Sequence, residues 1–168
     1  EISACASAVG ASFAGALAAT STSGPGICLK SETINLAVID ELPLVVIDVQ
    51  RGGPSTGMPT KSEQADLMQA LYGRNGESPV VVLAASTPTD CFDMAYWAGK
   101  LAVEHMTPVI LLTDAFIANG SAAWRIPDYL NDYPEIRPNY VENYRNPEPW
   151  KAYRRDKNTL VRYWAVPG

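Results

Sequence analysis

Pro43-Leu44-Val45-Val46-Ile47-Asp48-Val49 is the stretch that decides the fold class of this chain. Its apolar residues are continuous rather than alternating, which is what a strand buried on both faces requires, and such strands belong to parallel sheets covered by helices. Val80 to Ala84 and Pro108 to Thr113 repeat the pattern, and Leu17 to Thr22 can form a shorter strand before Ser23-Gly24-Pro25-Gly26. Between the strands lie segments with helical signals. Glu1 to Ala16 is rich in Ala, Gly and Ser, suiting close packing on a sheet. Ile27 to Ile39, Ser62 to Gly73 and Thr87 to about His105 follow, the last with proline in its first turn. Four short strands alternating with helices predict an α/β fold with a doubly wound parallel sheet over residues 1–124. Glu1 opens directly into a helix with no strand before it, as expected of a fragment whose N-terminal part is missing.

Beyond Trp124 the composition changes. Residues 125–168 hold six of the thirteen prolines, six of the eight tyrosines and eight of the thirteen basic residues. Pieces such as Pro147-Glu148-Pro149 cannot sustain a helix, so this part reads as an extended arm or linker toward a following domain or partner subunit. Its many Tyr and Trp residues distinguish it from a disordered tail.

The whole chain has 168 residues and a net charge of −5, which argues against a nucleic-acid ligand needing a basic face. No apolar run reaches the ~20 residues of a membrane span, and no membrane partner is expected. Cys5, Cys28 and Cys91 are too few and too widely spaced for a disulfide framework, a Cys-type zinc or an iron–sulfur cluster. That usage fits a reducing cytoplasm, and no metal is expected on this chain.

Several segments invite a chemical reading. In Ser23-Gly24-Pro25-Gly26 the glycines would let backbone N–H groups approach an anionic ligand at a helix N-terminus; read plainly, it is a tight strand-to-helix turn. Leu29 stands where a dinucleotide fingerprint needs its third glycine. Gly53-Pro54-Ser55-Thr56-Gly57 has the letters of a hydrolase nucleophile elbow, but Met58-Pro59-Thr60 delays the helix that the elbow needs, and His105 is the one histidine. Asp90, Asp93 and Glu104 read as a solvated helix face, and Asn119-Gly120-Ser121 is a sequon without meaning in a cytoplasmic protein. Arg51 follows the Leu44–Val49 strand directly, at the carboxyl end where open α/β sheets bind ligands. A guanidinium there suits a carboxylate substrate. The alternative is a surface arginine paired with Asp48 or Glu63.

Longer stretches carry a family resemblance. Thr22-Ser23-Gly24-Pro25-Gly26 resembles the turn of several thiamin-diphosphate enzymes. Gln50-Arg51-Gly52-Gly53-Pro54-Ser55-Thr56-Gly57-Met58-Pro59-Thr60, with Gln64-Ala65-Asp66-Leu67, resembles a signature of the alpha subunits of 2-oxoacid:ferredoxin oxidoreductases. Leu112-Thr113-Asp114-Ala115 and Trp124-Arg125-Ile126-Pro127 are similar to the end of the same domain. The resemblance implies the pyrimidine-binding domain of a thiamin-diphosphate enzyme of the 2-oxoglutarate type. It implies cofactor contacts from Glu1, Ser23, Gly24, Pro25 and Gly26, and a catalytic pair of Glu1 and Arg51. Glu1 would share a proton with the pyrimidine N1′ and so promote loss of the thiazolium C2 proton; the plain reading is a glutamate favoured at a helix N-terminus. A beta subunit would hold the diphosphate, Mg²⁺ and a [4Fe–4S] cluster. The other partners would be ferredoxin, the 2-oxoacid and coenzyme A. A sister enzyme for pyruvate, branched-chain 2-oxoacids or indolepyruvate, and a noncatalytic scaffold, are the alternatives.

Overall fold

The structure, a computed structural model, describes residues 1–140 and 151–167, so the Pro147-Glu148-Pro149 piece of the arm lies outside the described residues. Helix α1 (Ile2–Phe13) leads to strand β1 (Ala18–Thr22), α2 (Gly24–Ile39) and β2 (Leu44–Gln50). Then come α3 (Leu67–Tyr72), β3 (Val81–Ala84), α4 (Asp90–His105), β4 (Pro108–Asp114) and α5 (Ala115–Asn119). The four strands form one sheet in the order β1-β2-β4-β3, and every pairing is parallel.

β2 and β4 are central and buried on both sides, which is why their sequences run apolar without alternation. One face packs Leu44, Val46, Ile110 and Leu112 against α1, α2 and Ala70 of α3. The opposite face packs Val45, Val109 and Leu111 against Ala98 and Ala102 of α4. Helices on both faces make the sheet doubly wound. α1 meets α2 and the sheet through Cys5, Ala8, Val9 and Ser12, a helical stripe of small residues, and Ser12 Oγ donates to the Pro43 carbonyl at 2.6 Å.

Three local expectations change. Ser62 to Asp66 is not helical; α3 begins only at Leu67, because Gln64 and Asp66 are engaged by the ends of β4 and β2. Thr87-Pro88 precedes α4 rather than forming its first turn. The five-residue α5 is unforeseen: Asp114 Oδ1 accepts from the N–H groups of Phe116 and Ile117, a cap that starts a helix where the strand ends.

Segments 120–140 and 151–167 contain no helix or ladder, only isolated bridges between Tyr140 and Trp164 and between Arg155 and Arg162. They nonetheless lie against the body. Trp164 is 2% exposed, packs with Val103, Met106 and Val161, and donates Nε1–H to the Ser12 carbonyl at 3.0 Å. Tyr153 Oη donates to Ile39 O at 3.0 Å and Arg162 Nη1 to Asp40 O at 2.6 Å. The last two bonds satisfy carbonyls left open at the C-terminus of α2, whereas the Ser12 carbonyl also accepts from the Gly15 N–H at 3.0 Å. Trp164→Ala should therefore cost about 3–5 kcal/mol. A thermal scan should read this as a Tm drop of roughly 10 °C; a drop below a few degrees would mean that the Trp164 pocket collapses at little cost.

No helix among the described residues is long and apolar enough to cross a membrane.

Candidate active site

The register places Thr22 beside Asp48 and Gln50 beside Asp114, so β1, β2 and β4 end at one edge of the sheet. Glu1 and Lys30 meet there. The buried stripe of α2 runs Gly26, Ile27, Lys30, Thr33, Ile34, Ala37, and it carries Lys30 inward with its apolar neighbours. Lys30 Nζ donates to Thr20 Oγ1 at 3.0 Å and to the Glu1 carbonyl at 3.2 Å, and pairs with Glu1 Oε2 at 3.2 Å. The lysine side chain is 0% exposed and the glutamate 40%, so the cation is fully enclosed while the carboxylate faces outward. Thr22 Oγ1 donates to the same Oε2 at 2.8 Å. That bond, followed by the Lys30 interaction, outweighs partial burial and holds the Glu1 carboxyl below its usual range. Among the described residues, Oε1 has no partner.

Ser23 is extended and its side chain caps nothing; its carbonyl accepts from the N–H groups of Gly26 and Ile27, closing the first turn of α2. Pro25 sits in that turn. The two glycines answer to close packing. A Cβ on Gly26 would collide with Thr22 Oγ1 and reach 2.7 Å from Glu1 Cδ, and one on Gly24 would lie 2.6 Å from Asp66 Oδ2.

Arg51 leaves the end of β2 and pairs with neither Asp48 nor Glu63. Its Nε is buried without a partner, and among the described residues its guanidinium makes no hydrogen bond or ion pair. Glu63 instead accepts from the Gly53 N–H at 2.8 Å. The loop is cross-braced by Gly52 N to Lys61 O and Met58 N to Gly52 O. Gly57 has φ +41° and packs its α-carbon onto Gly52 and Gly53, where a side chain has no room. Gln50 links the loop to the sheet: its Nε2 donates to Thr113 O, and its Oε1 accepts from Asp66 N at 3.0 Å. Gln64 donates to Asp114 Oδ2 at 2.8 Å.

Asp48 is 0% exposed, and among the described residues neither of its oxygens has a hydrogen-bond partner; Asp66 Oδ2 is also buried and without one. Burial, with the neighbouring Asp66 carboxyl second, pushes Asp48 up to about 8.

The other sequence candidates do not join this edge. Ser55 lies exposed in the loop, far in sequence from any helix start, and His105 is in the last turn of α4. Asp90 accepts from Ser86 at the start of α4, Asp93 from Tyr133, and Glu104 from Lys100. Among the described residues no cluster of His, Cys, Asp and Glu could hold a metal ion. Sequence reasoning missed Lys30, Gln50 and the Asp48–Asp66 relation. The signal for Lys30 was available: it falls on the helical period Ile27, Lys30, Ile34, Ala37.

A family model described as "Pyruvate flavodoxin/ferredoxin oxidoreductase, thiamine diP-bdg" matches residues 1–163. The chain belongs to that family. It is 60% identical over 168 residues to the 2-oxoglutarate oxidoreductase subunit KorA of Mycobacterium tuberculosis, covering 100% of itself and 25% of that protein. It is 40% identical over 147 residues to the 2-oxoglutarate synthase subunit KorA of Archaeoglobus fulgidus, covering 86% of itself and 42% of the relative. A solved 2-oxoglutarate:ferredoxin oxidoreductase from Magnetococcus marinus, with 2-oxoglutarate, coenzyme A and succinyl-CoA bound, matches with a TM-score of 0.84 at 36% identity. That match covers 99% of this chain and 28% of the other. The chain thus spans about a quarter to two-fifths of these relatives. They bear out the thiamin-diphosphate-binding fold and the resemblance to 2-oxoglutarate-type alpha subunits.

Proposed function

We propose that this chain is the pyrimidine-binding part of the alpha subunit of a 2-oxoglutarate:ferredoxin oxidoreductase. The complex would oxidatively decarboxylate the 2-oxoacid, form an acyl-CoA and pass electrons to ferredoxin. One observation carries the reading. At a single sheet edge stand a carboxylate held, among the described residues, through one oxygen, Glu1, and a guanidinium without a partner among them, Arg51.

The donor set fits the pyrimidine of thiamin diphosphate. Lys30 and Thr22 fix Glu1 Oε2, and Oε1 is left to exchange a proton with the ring nitrogen N1′. The Ser23–Gly26 turn would line the ring beside it, Gly26 keeping the backbone low against the Glu1 carboxyl. When bound, thiamin diphosphate supplies a carbon nucleophile and a place for the electrons released by decarboxylation. Arg51, without a hydrogen bond or ion pair among the described residues, would bind the substrate carboxylate through two parallel hydrogen bonds.

Cys5, Cys28 and Cys91 are unpaired and lie on α1, α2 and α4, so cluster ligands, diphosphate and Mg²⁺ are assigned to a beta subunit. Segments 125–140 and 151–167 are proposed as the docking or linking arm toward the rest of the assembly, which would work in the cytoplasm.

Purified alone, with or without oxygen, the chain should be colourless and inactive. The broad visible absorption of a Cys-ligated cluster in the isolated chain would overturn the two-subunit reading. The decisive assay is CoA-dependent ferredoxin reduction by the assembled complex. Turnover of 2-oxoglutarate well above that of pyruvate supports the proposal, and the reverse preference assigns a sister enzyme.

A further inference from the structure

We propose that Asp48 and Asp66 share a single proton as a carboxylic acid–carboxylate pair, and that this pair positions the Arg51 loop against the Gly24 turn. The inference rests on the proposed function only where it assigns Arg51 to the substrate.

Three oxygens, both of Asp48 and Oδ2 of Asp66, are buried with no hydrogen-bond partner among the described residues. Asp48 is buried and Asp66 is half-buried with Oδ2 enclosed; an enclosed carboxylate beside a second carboxylate resists ionising, and a single proton between them would satisfy these oxygens at once. Asp48 lies on the same face of β2 as Gln50, whose Oε1 accepts from Asp66 N at 3.0 Å. The Asp66 carboxyl also rests on Gly24, so closely that a Cβ there would lie 2.6 and 2.9 Å from its two oxygens. Across the sheet, Asp48 is in register with Thr22, whose hydroxyl holds Glu1. The pair therefore sits at the seam where three pieces meet: the end of the loop that Arg51 begins, the turn opening α2, and the strand carrying the Glu1 anchor. Adding a second negative charge there pushes the loop away from the turn. Asp48 and Asp66 touch no reacting atom in this scheme; they act through the placement of Arg51.

The charged groups on the elements packed around Asp48 are Glu1 at the N-cap of α1, Lys30 and Glu32 of α2, Arg51, Lys61, Glu63 and Asp66 of the loop, and Asp114 of β4. Of these, only Asp66 contributes to holding Asp48 protonated, after burial itself. The sign follows. Asp48 is raised from 3.8 in the unfolded chain to about 8 in the fold, so its contribution to stability is full at acid pH and is lost as pH rises through about 8.

The test uses the assembled complex with wild-type, Asp48→Asn and Asp66→Asn chains. Asn supplies a fixed N–H donor to the remaining carboxylate and cannot lose it. Infrared spectra of carbon-13 aspartate-labelled protein should contain an acid C=O band at neutral pH that disappears on titration to alkaline pH. Either substitution should abolish it. In parallel, kcat/KM for the 2-oxoacid should fall about tenfold for each pH unit above the pair's pKa in wild type. That fall should appear in KM, and both Asn variants should lose it. Absence of the acid band in wild type, its persistence in Asp48→Asn, or an unchanged alkaline fall in both variants overturns the pairing. Should the complex turn over no 2-oxoacid at all, the proposed function fails, and the infrared band still decides the shared proton.

Discussion

Glu1→Gln in the assembled complex should lower exchange of the cofactor's C2 proton, and ferredoxin reduction with it, by ~10²–10⁴-fold. Glutamine is nearly isosteric. It can accept from Thr22 Oγ1 as Glu1 Oε2 does at 2.8 Å, so the start of α1 should fold as before. What it lacks is a carboxyl that can hold or release a proton toward N1′. Its neutral amide also removes the ion pair with Lys30, which leaves an enclosed lysine with Thr20 Oγ1 and the residue-1 carbonyl as partners. Leaving a buried cation with one partner fewer has its own cost, so assembly and thermal stability must be measured beside the exchange rate. A large fall in C2 exchange with intact assembly and cluster content supports a catalytic Glu1. Unchanged exchange would mean that the carboxyl doing this chemistry lies elsewhere, and a fall in exchange only in step with lost assembly would reduce Glu1 to a structural anchor for Lys30.

The second large effect is expected from Arg51→Lys. The charge is retained and the planar two-pronged donor is lost, which costs on the order of 1.5–3 kcal/mol, or roughly 10- to 150-fold in kcat/KM for the 2-oxoacid. The structure sharpens this expectation. Because Arg51 makes no hydrogen bond or ion pair among the described residues and its Nε is buried unsatisfied, the substitution removes no internal hydrogen bond or ion pair. Thermal stability and thiamin-diphosphate affinity should therefore stay close to wild type while substrate use falls. Parallel losses in cofactor affinity and turnover would instead assign Arg51 to the fold or a subunit contact.

Both predictions start from residues legible in the sequence, and their neighbours explain how far that legibility extends. The strands were readable because burial on two faces imposes the same requirement on every position: Leu44–Val46 and Val109–Leu112 have no polar register to keep. The Ser23–Gly26 turn was readable because a strand meeting a helix in so few residues requires small or pre-bent backbone there. Ser62 to Asp66 was misread as helix for a tertiary reason. Gln64 and Asp66 make their bonds to Asp114 and Gln50, residues far away in the chain, and those bonds hold the backbone off the helical path. Local helix signals of a few tenths of a kcal/mol per residue do not outweigh such anchors.

The sequence by itself determined the parallel α/β class, the carboxyl-edge location of Arg51 and the family signature of Gln50 to Thr60. Only the tertiary structure decided which charges meet. Lys30 reads as one more helix lysine until α2 turns it inward under Glu1, and Asp48 reads as a polar break in a strand until the loop returns Asp66 to its side. The pairing of Arg51 was equally open, and the fold settled it by directing Glu63 to the Gly53 N–H and enclosing Asp48 without a hydrogen-bond partner among the described residues. Backbone propensity and burial act along the chain and leave a local trace. Ionisable groups interact through space over a few ångströms, so the partner of a charge is fixed only when distant segments are packed together.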